Sequence, residues 1–182
     1  MTVQPVRFFG DPVLRTRAAE VVDFDRELRR LVTDLMDTMT VKGGAGLAAP
    51  QIGVGLRVFT YRCDGVEGHL VNPTFEVIGD ERQLGDEGCL SIPGLSWDCE
   101  RHRHVVARGL DMHGEPVEIV GSDLLARCVQ HEVDHLDGVL FVDRLDEETR
   151  RRAMREIRAA PWFDGVTPVI KASPHPLLGR AR

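Results

Sequence analysis

Ser122-Asp123-Leu124-Leu125-Ala126-Arg127-Cys128-Val129-Gln130-His131-Glu132-Val133-Asp134-His135-Leu136-Asp137-Gly138 is the stretch on which the reading of this chain turns. Ser122 is a capping residue type and Gly138 a stop signal, so a helix is expected from about Asp123 to Asp137. Leu124, Leu125, Cys128, Val129 and Leu136 mark that helix as buried. A buried helix that also carries two histidines and a glutamate must satisfy their polar atoms, and a metal ion does so. His131 and His135 are one turn apart and point the same way, so they can grip one ion. Glu132 lies beside them, placed to reach a metal-bound water but not to be a third ligand. The plain alternative is two ordinary helix histidines.

A catalytic metal of this kind takes three protein ligands and keeps a position for water. Cys128 shares a face with His131 but is separated from His135 by about 10.5 Å along the axis, at 1.5 Å per residue. It reads better as a small apolar wall residue. Cys89 is the better third ligand. It lies in Asp86-Glu87-Gly88-Cys89-Leu90-Ser91-Ile92-Pro93, expected as a shaped loop or strand edge, and a thiolate binds zinc or ferrous iron strongly. Taken without the histidines, Cys89 reads as a buried, inert thiol.

Gly43-Gly44-Ala45-Gly46-Leu47-Ala48-Ala49-Pro50-Gln51 lacks the Gly-Lys-Ser/Thr ending of a phosphate loop. Gly46 lets another group approach its backbone closely, and the Gln51 amide offers a donor for an oxyanion. By itself the segment is a small-residue turn after a helix.

Further out, a first helix begins at the N-cap Asp25, carries Leu28, Leu31, Leu35 and Met39 on one stripe, and ends at Lys42-Gly43-Gly44. A third helix is expected over Glu147 to Ala159, after Asp146 and before Pro161. Five short β-prone runs lie between the first two helices: Leu56 to Tyr61, His69 to Val71, Phe75 to Ile78, His104 to Leu110 and Pro116 to Val120. Strands bunched together with helices outside them point to an α+β fold: short antiparallel sheets around the buried helix, flanked by N-terminal and C-terminal helices. We expect one catalytic domain over 1–160 and an irregular tail over 161–182, which holds four prolines.

The 182 residues are 42% hydrophobic and 29% charged, as in ordinary soluble domains, with a net charge of −6. That charge argues against a surface that wraps nucleic acid, and DNA is not an expected partner. Met1 to Phe9 contain no long apolar run, and no stretch reaches membrane-spanning length. The four cysteines form no Cys-x-x-Cys pair. They read as reduced thiols or a metal ligand, which points to the cytoplasm.

Three segments taken together resemble the peptide deformylase family: Gly44-Ala45-Gly46-Leu47-Ala48-Ala49-Pro50-Gln51, Glu87-Gly88-Cys89-Leu90-Ser91 and Gln130-His131-Glu132-Val133-Asp134-His135. The likeness extends to Asp11-Pro12-Val13-Leu14-Arg15 and to the helix after residue 145, and no motif position departs from the pattern. The resemblance implies removal of the formyl group from N-formylmethionine on new proteins. It implies metal ligands Cys89, His131 and His135, and Glu132 as the base and acid that turns metal-bound water into the attacking hydroxide. It implies oxyanion donors from the Gln51 side chain and the Leu90 backbone N–H, and a substrate contact at Gly46. A methionine pocket is implied near Ala45, Leu124, Arg127 and Cys128. Arg127 is expected to line the pocket mouth with its stem and keep its charge in water. The donor set suits zinc, iron, cobalt or nickel. The resemblance implies one divalent ion per chain, ferrous iron in the cell, with zinc or nickel as substitutes.

Two rival readings stay open on the residues alone. A His-Glu-x-x-His zinc peptidase would take its third ligand from a His or Glu rather than Cys89. A structural zinc would require a fourth protein ligand. In the third helix, Arg150, Arg151, Arg152, Arg155 and Arg158 read first as a solvated face. The resemblance adds a second reading, docking to ribosomal RNA near the nascent-chain exit.

Overall fold

Helix α1 (Arg26–Lys42) starts where the Asp25 carboxylate accepts hydrogen bonds from the backbone N–H groups of Glu27 and Leu28, at 2.9 and 3.0 Å. It stops at Gly43, whose φ of 69° favours glycine. Leu28, Leu31, Val32, Leu35 and Met39 form its buried stripe. The structure, a computed structural model, describes residues 2–163. The expected tail lies outside the described residues beyond Phe163.

Seven strands follow: β1 (Gly46–Ala48), β2 (Val58–Cys63), β3 (Val66–Val77), β4 (Arg82–Cys89), β5 (Ile92–His102), β6 (His104–Leu110) and β7 (Pro116–Ser122). Five make an antiparallel sheet in the order β1-β2-β3-β6-β7, while β4 and β5 form a separate two-stranded hairpin. The chain is thus α+β, as expected. The strands differ from expectation in several places: β1 lies in the segment expected as a turn, β2 runs two residues later than expected, and β7 extends to Ser122. The runs His69 to Val71 and Phe75 to Ile78 join into β3, whose pairing with β6 shifts register between Val71 and Thr74. The hairpin extends the expectation: residues 86–93, expected as a loop or strand edge, are the end of β4 and the tight turn into β5.

Side chains alternate faces along a strand, and β2 uses both faces. Val58 packs with Val71 toward α1, in a cluster that includes Leu28, Leu35, Met39 and Leu47. Phe59 and Tyr61 pack with Leu70, Val105 and Ala107 toward the second helix, α2 (Asp123–Leu136), meeting Ala126, Val129, Val133 and Leu136. The opposite side of α2 lies under β5. There Trp97 and Cys99 join Leu140, Phe141 and Val142, with Ala153 and Ile157 of helix α3 (Glu147–Ala159) closing the cluster. Every residue from Ala126 to Leu136 is buried. Each fully buried Leu or Phe contributes about 1.5–3 kcal/mol. Helix propensities differ by only about 0.7 kcal/mol per ordinary residue, so packing rather than propensity fixes α2.

The ends of α2 are held in two different ways. Ser122 precedes the helix, but its hydroxyl makes no capping bond. Asp123 has a φ of 49°, and its N–H donates to the Arg103 carbonyl at 3.0 Å. At the other end Gly138, with φ 75°, donates to the His135 carbonyl at 3.2 Å, and Val139 donates to the Asp134 carbonyl at 2.9 Å. A Cβ at Gly138 would lie 2.8 Å from the Arg15 carbonyl oxygen, so close packing adds to the glycine requirement. Helix α3 is capped by Asp146, which accepts from Glu148 and Thr149 N–H at 3.0 Å each. Among the described residues no helix is long and apolar enough to cross a membrane.

Candidate metal centre

Cys89 sits at the last position of β4, where the ladder to β5 breaks register between Gly88 and Cys89. Strand alternation puts its thiol on the same face as Glu87, toward α2. The Cys89 Sγ lies 3.2 Å from His135 Nε2, and potential ligand atoms of Cys89, His131 and His135 all fall within 4.8 Å of one another. The two imidazoles meet edge to face with centroids 4.9 Å apart. His131 also stacks on Phe141. One soft sulfur and two borderline nitrogens in a buried triangle fit a single divalent transition metal. Among the described residues no fourth His, Cys, Asp or Glu joins the cluster.

The Nδ1 of His131 is bonded to Glu87 Oε1 at 2.7 Å, which leaves Nε2 for an ion. Glu87 also accepts from Arg101 Nη2 at 2.6 Å, Arg101 Nε at 3.1 Å and Arg127 Nη1 at 2.7 Å. Arg101 reaches on to Asp134 at 2.6 Å, and Arg144 pairs with Asp134 as well. Gln130 adds a link that imitates strand pairing: its amide accepts from the His102 N–H at 3.0 Å and donates to the His102 carbonyl at 2.8 Å. These bonds tie the hairpin that carries the thiol to the helix that carries the imidazoles.

A cleft of about 500 Å³ opens over this triangle. Ala45, Gly46, Gln51, Cys89, Leu90, Leu124, Arg127, Cys128, His131 and Glu132 all line it, so the structure brings together nearly all the residues singled out from the sequence. His135 sits deeper, 1% exposed, behind Cys89. The Gln51 side chain is pinned at both ends. Its oxygen accepts from Ala48 N–H at 2.8 Å, and its Nε2 donates to Ser91 Oγ at 3.2 Å and Cys89 Sγ at 3.4 Å. Gly46 has to be glycine: a Cβ there would collide with the Glu132 carboxylate and sit 2.8 Å from Cys128 Sγ.

Glu132 is 3% exposed, and its Oε2 is sealed from solvent with no hydrogen-bond partner. Burial pushes its carboxyl up to about 7, with the His131 charge opposing and the Glu87 charge reinforcing the rise. For Glu87 burial again pushes upward, but hydrogen bonds from His131 and Arg101 overcome it and hold the carboxyl well below the usual range. Burial lowers His135. His131 is lowered by burial too, yet its bonds to Cys89 and Glu87 carry it above the ordinary value.

Arg127 departs from expectation. Its charge is not in water: the side chain is 9% exposed, and Nη1 is fixed by Glu87 and by the Cys99 carbonyl at 2.9 Å. Glu87, Arg101 and Asp134 had no assigned role on sequence grounds. Glu87 and Asp134 stand inside the quoted motifs, one position or two from a ligand candidate, and that adjacency was the available signal.

The polypeptide deformylase family model matches residues 3–151. A peptide deformylase of Acidothermus cellulolyticus is 62% identical over 181 residues, spanning 100% of this chain and 99% of its own. One from a Parafrankia species is 57% identical over 183 residues, spanning 100% of both chains. The crystal structure of a peptide deformylase from Legionella pneumophila matches with a TM-score of 0.82 at 38% identity, covering 92% of this chain and 100% of its own. The chain belongs to the polypeptide deformylase family, the metal-dependent hydrolases that remove the N-formyl group from newly made proteins.

Proposed function

We propose that Cys89, His131 and His135 hold one divalent cation, that Glu132 moves the proton, and that Gln51 with the Leu90 N–H stabilises the oxyanion. The observation that carries this reading is the sealed, unpartnered Glu132 Oε2, on a residue that shares the cleft with Cys89 and His131, whose ligand atoms converge with those of His135. When bound, such a cation supplies Lewis-acid polarisation of the formyl group and acidifies water. Three protein ligands rather than four favour a catalytic over a structural ion. Ferrous iron is the ion proposed for the cell, with zinc or nickel as substitutes. The thiolate and imidazole donors support any of these, and the family resemblance points to iron.

The remaining work belongs to the chain. Glu132 takes a proton from the attacking water, the hydroxyl adds to the formyl carbon, and Glu132 returns the proton to the departing amine, leaving formate and a free N-terminus. Burial raises this carboxyl above the usual carboxylate range, which favours a group that both accepts and gives a proton. Gln51 enters this step already oriented by Ala48 and Ser91, so no reorganisation is needed when charge develops on oxygen. Strand β1 is the edge of its sheet, and Gly46 lies on the cleft, which supports a peptide bound by strand addition. Ala45, Leu124, Arg127 and Cys128 are proposed to surround the methionine side chain. Free thiols at all four cysteines suit a reducing compartment, and we assign the cytoplasm. A ribosome contact through α3 is carried by that helix alone.

The test combines metal analysis of anaerobically purified protein with turnover of a formyl-Met peptide. Glu132→Gln is expected to lower kcat by about 10²–10⁴ while metal content stays at one ion per chain. Near-normal turnover in that variant would remove Glu132 from the role.

A further inference from the structure

Two thiols outside the ligand triangle meet at one backbone oxygen. Cys63 ends β2 and Cys128 stands on α2. The Ala45 carbonyl accepts from Cys63 Sγ at 3.6 Å and from Cys128 Sγ at 3.4 Å. The same oxygen accepts from the Arg62 N–H at 2.7 Å, a bond that continues the pairing of β1 with β2. The two side chains also hydrogen-bond to each other, which lowers the Cys63 thiol and raises the Cys128 thiol. Both are buried free thiols, and neither holds the proposed cation or moves the proton. Cys128 lines the cleft. A Cβ on Gly46 would lie 2.8 Å from Cys128 Sγ, so this sulfur packs directly against the edge strand.

Two sulfurs that share one acceptor and bond to each other can close into a disulfide once an oxidant reaches one of them. The cleft gives a small hydroperoxide access to Cys128. We propose that Cys63 and Cys128 form a reversible disulfide in the wall of the cleft, with hydrogen peroxide as the oxidant. The sulfur that reacts first gives up its proton, takes one oxygen as a sulfenic acid and releases water. The second sulfur displaces that hydroxyl, which leaves as water with the second thiol proton. One S–S bond forms and the O–O bond breaks; two thiols are oxidised and the peroxide is reduced. Closure moves the Cys128 sulfur toward Cys63 and removes both S–H donors from the Ala45 carbonyl, leaving it the Arg62 N–H. Ala45 and Gly46 belong to the wall assigned to the substrate, so closure weakens substrate binding. That consequence rests on the deformylase reading above, whereas the cross-link itself does not.

The experiment treats the metal-loaded protein with hydrogen peroxide, blocks the remaining thiols with N-ethylmaleimide and maps its peptides by mass spectrometry without reductant. A peptide pair joined through Cys63 and Cys128 is expected, two hydrogens lighter than the free pair, and dithiothreitol should restore both thiols. Both residues recovered as blocked thiols or as separate sulfinic acids, at a peroxide dose that already inactivates the enzyme, would overturn the proposal. Kinetics give a second readout. Oxidation of the cation or of Cys89 removes active sites and lowers kcat, whereas the disulfide is expected to raise KM for a formyl-Met peptide about fivefold, reversibly, through the lost bonds at Ala45. Cys63→Ala cannot form the bond, so peroxide should leave its KM unchanged. An equal rise of KM in that variant would also overturn the proposal. If Cys63→Ala fails to fold, the peptide map of the unaltered protein still decides. Absence of turnover on the formyl-Met peptide before any peroxide would sink the deformylase reading instead, so the two failures are distinguishable.

Discussion

Two sets of ion pairs occupy opposite extremes of this molecule. Under α2, Arg101 joins Glu87 and Asp134 at 2.6 Å each, with side chains 3–10% exposed. On α3, Arg151 meets Glu147 at 3.1 Å with side chains 68% and 86% exposed. The residue types are the same and the chemistry is not. Buried charges have given up water, so each depends on its partners, and removing one leaves the rest uncompensated. Exposed charges keep their water and lose little. In this chain the dependent set is the one that touches a metal-ligand candidate, through Glu87 and His131.

The sharpest break of that contrast is Arg101→Met, which strands part of the charge on Glu87 and Asp134. We expect a loss of about 3–5 kcal/mol in unfolding free energy, read from urea denaturation. A loss under 1 kcal/mol would mean that Arg127 and Arg144 suffice to neutralise the two acids, and that the buried set is no more demanding than the surface one.

Glu87→Gln is the next largest effect, and it separates folding from metal binding. The amide keeps the shape but removes the charge that orients His131. Metal affinity is expected to fall about 10–100-fold in chelator competition. The variant also has a pH signature. Glu87 is held below its ordinary value in the folded state, so its stabilisation is fully present above the unfolded value near ~4.3 and is lost as pH falls toward the folded value. Urea midpoints of the unaltered protein should therefore drop between about pH 5 and 3 by more than those of Glu87→Gln. Parallel curves, with unchanged metal affinity, would remove Glu87 from any positioning role.

The same contrast explains what could be read in the sequence. The helices were legible because apolar residues recur at helical spacing and Asp25, Asp146, Gly43 and Gly138 mark ends. The large sheet was legible where apolar runs sit between turn residues. The β4–β5 hairpin was not. Arg82-Gln83-Leu84-Gly85-Asp86-Glu87-Gly88-Cys89 shows no apolar alternation, and its partner places Arg101 inward. A strand that buries charges on charges looks like a surface loop, since charge in a sequence signals solvent. Arg127 misled for that reason: nothing local distinguishes an arginine whose partner is Glu87, forty positions earlier in the chain, from one that reaches water. Cys89, His131 and His135 were readable as residue types with metal chemistry, but their convergence depends on the hairpin. Ser122 holds the N-cap position of α2 as expected but makes no side-chain capping bond, and contacts with Arg103 and Gln83 hold the start of the helix.

The smallest stability effect belongs to the arginines of α3, and it carries a functional question. Arg150, Arg151 and Arg152 pair with Asp143, Glu147 and Glu156, while Arg155 and Arg158 have no ion pair among the described residues. Arg151→Ala should change unfolding free energy by no more than about 0.5 kcal/mol, and by less in 1 M salt, where exposed pairs are screened. A surface so cheaply altered is free to serve a partner. If α3 docks to ribosomal RNA, replacing Arg155 and Arg158 by Ala should weaken salt-dependent co-sedimentation with ribosomes while formyl-peptide turnover stays intact. Unchanged co-sedimentation would leave these side chains as a solvated face, with the buried set under α2 the part of the charge pattern tied to the proposed metal site.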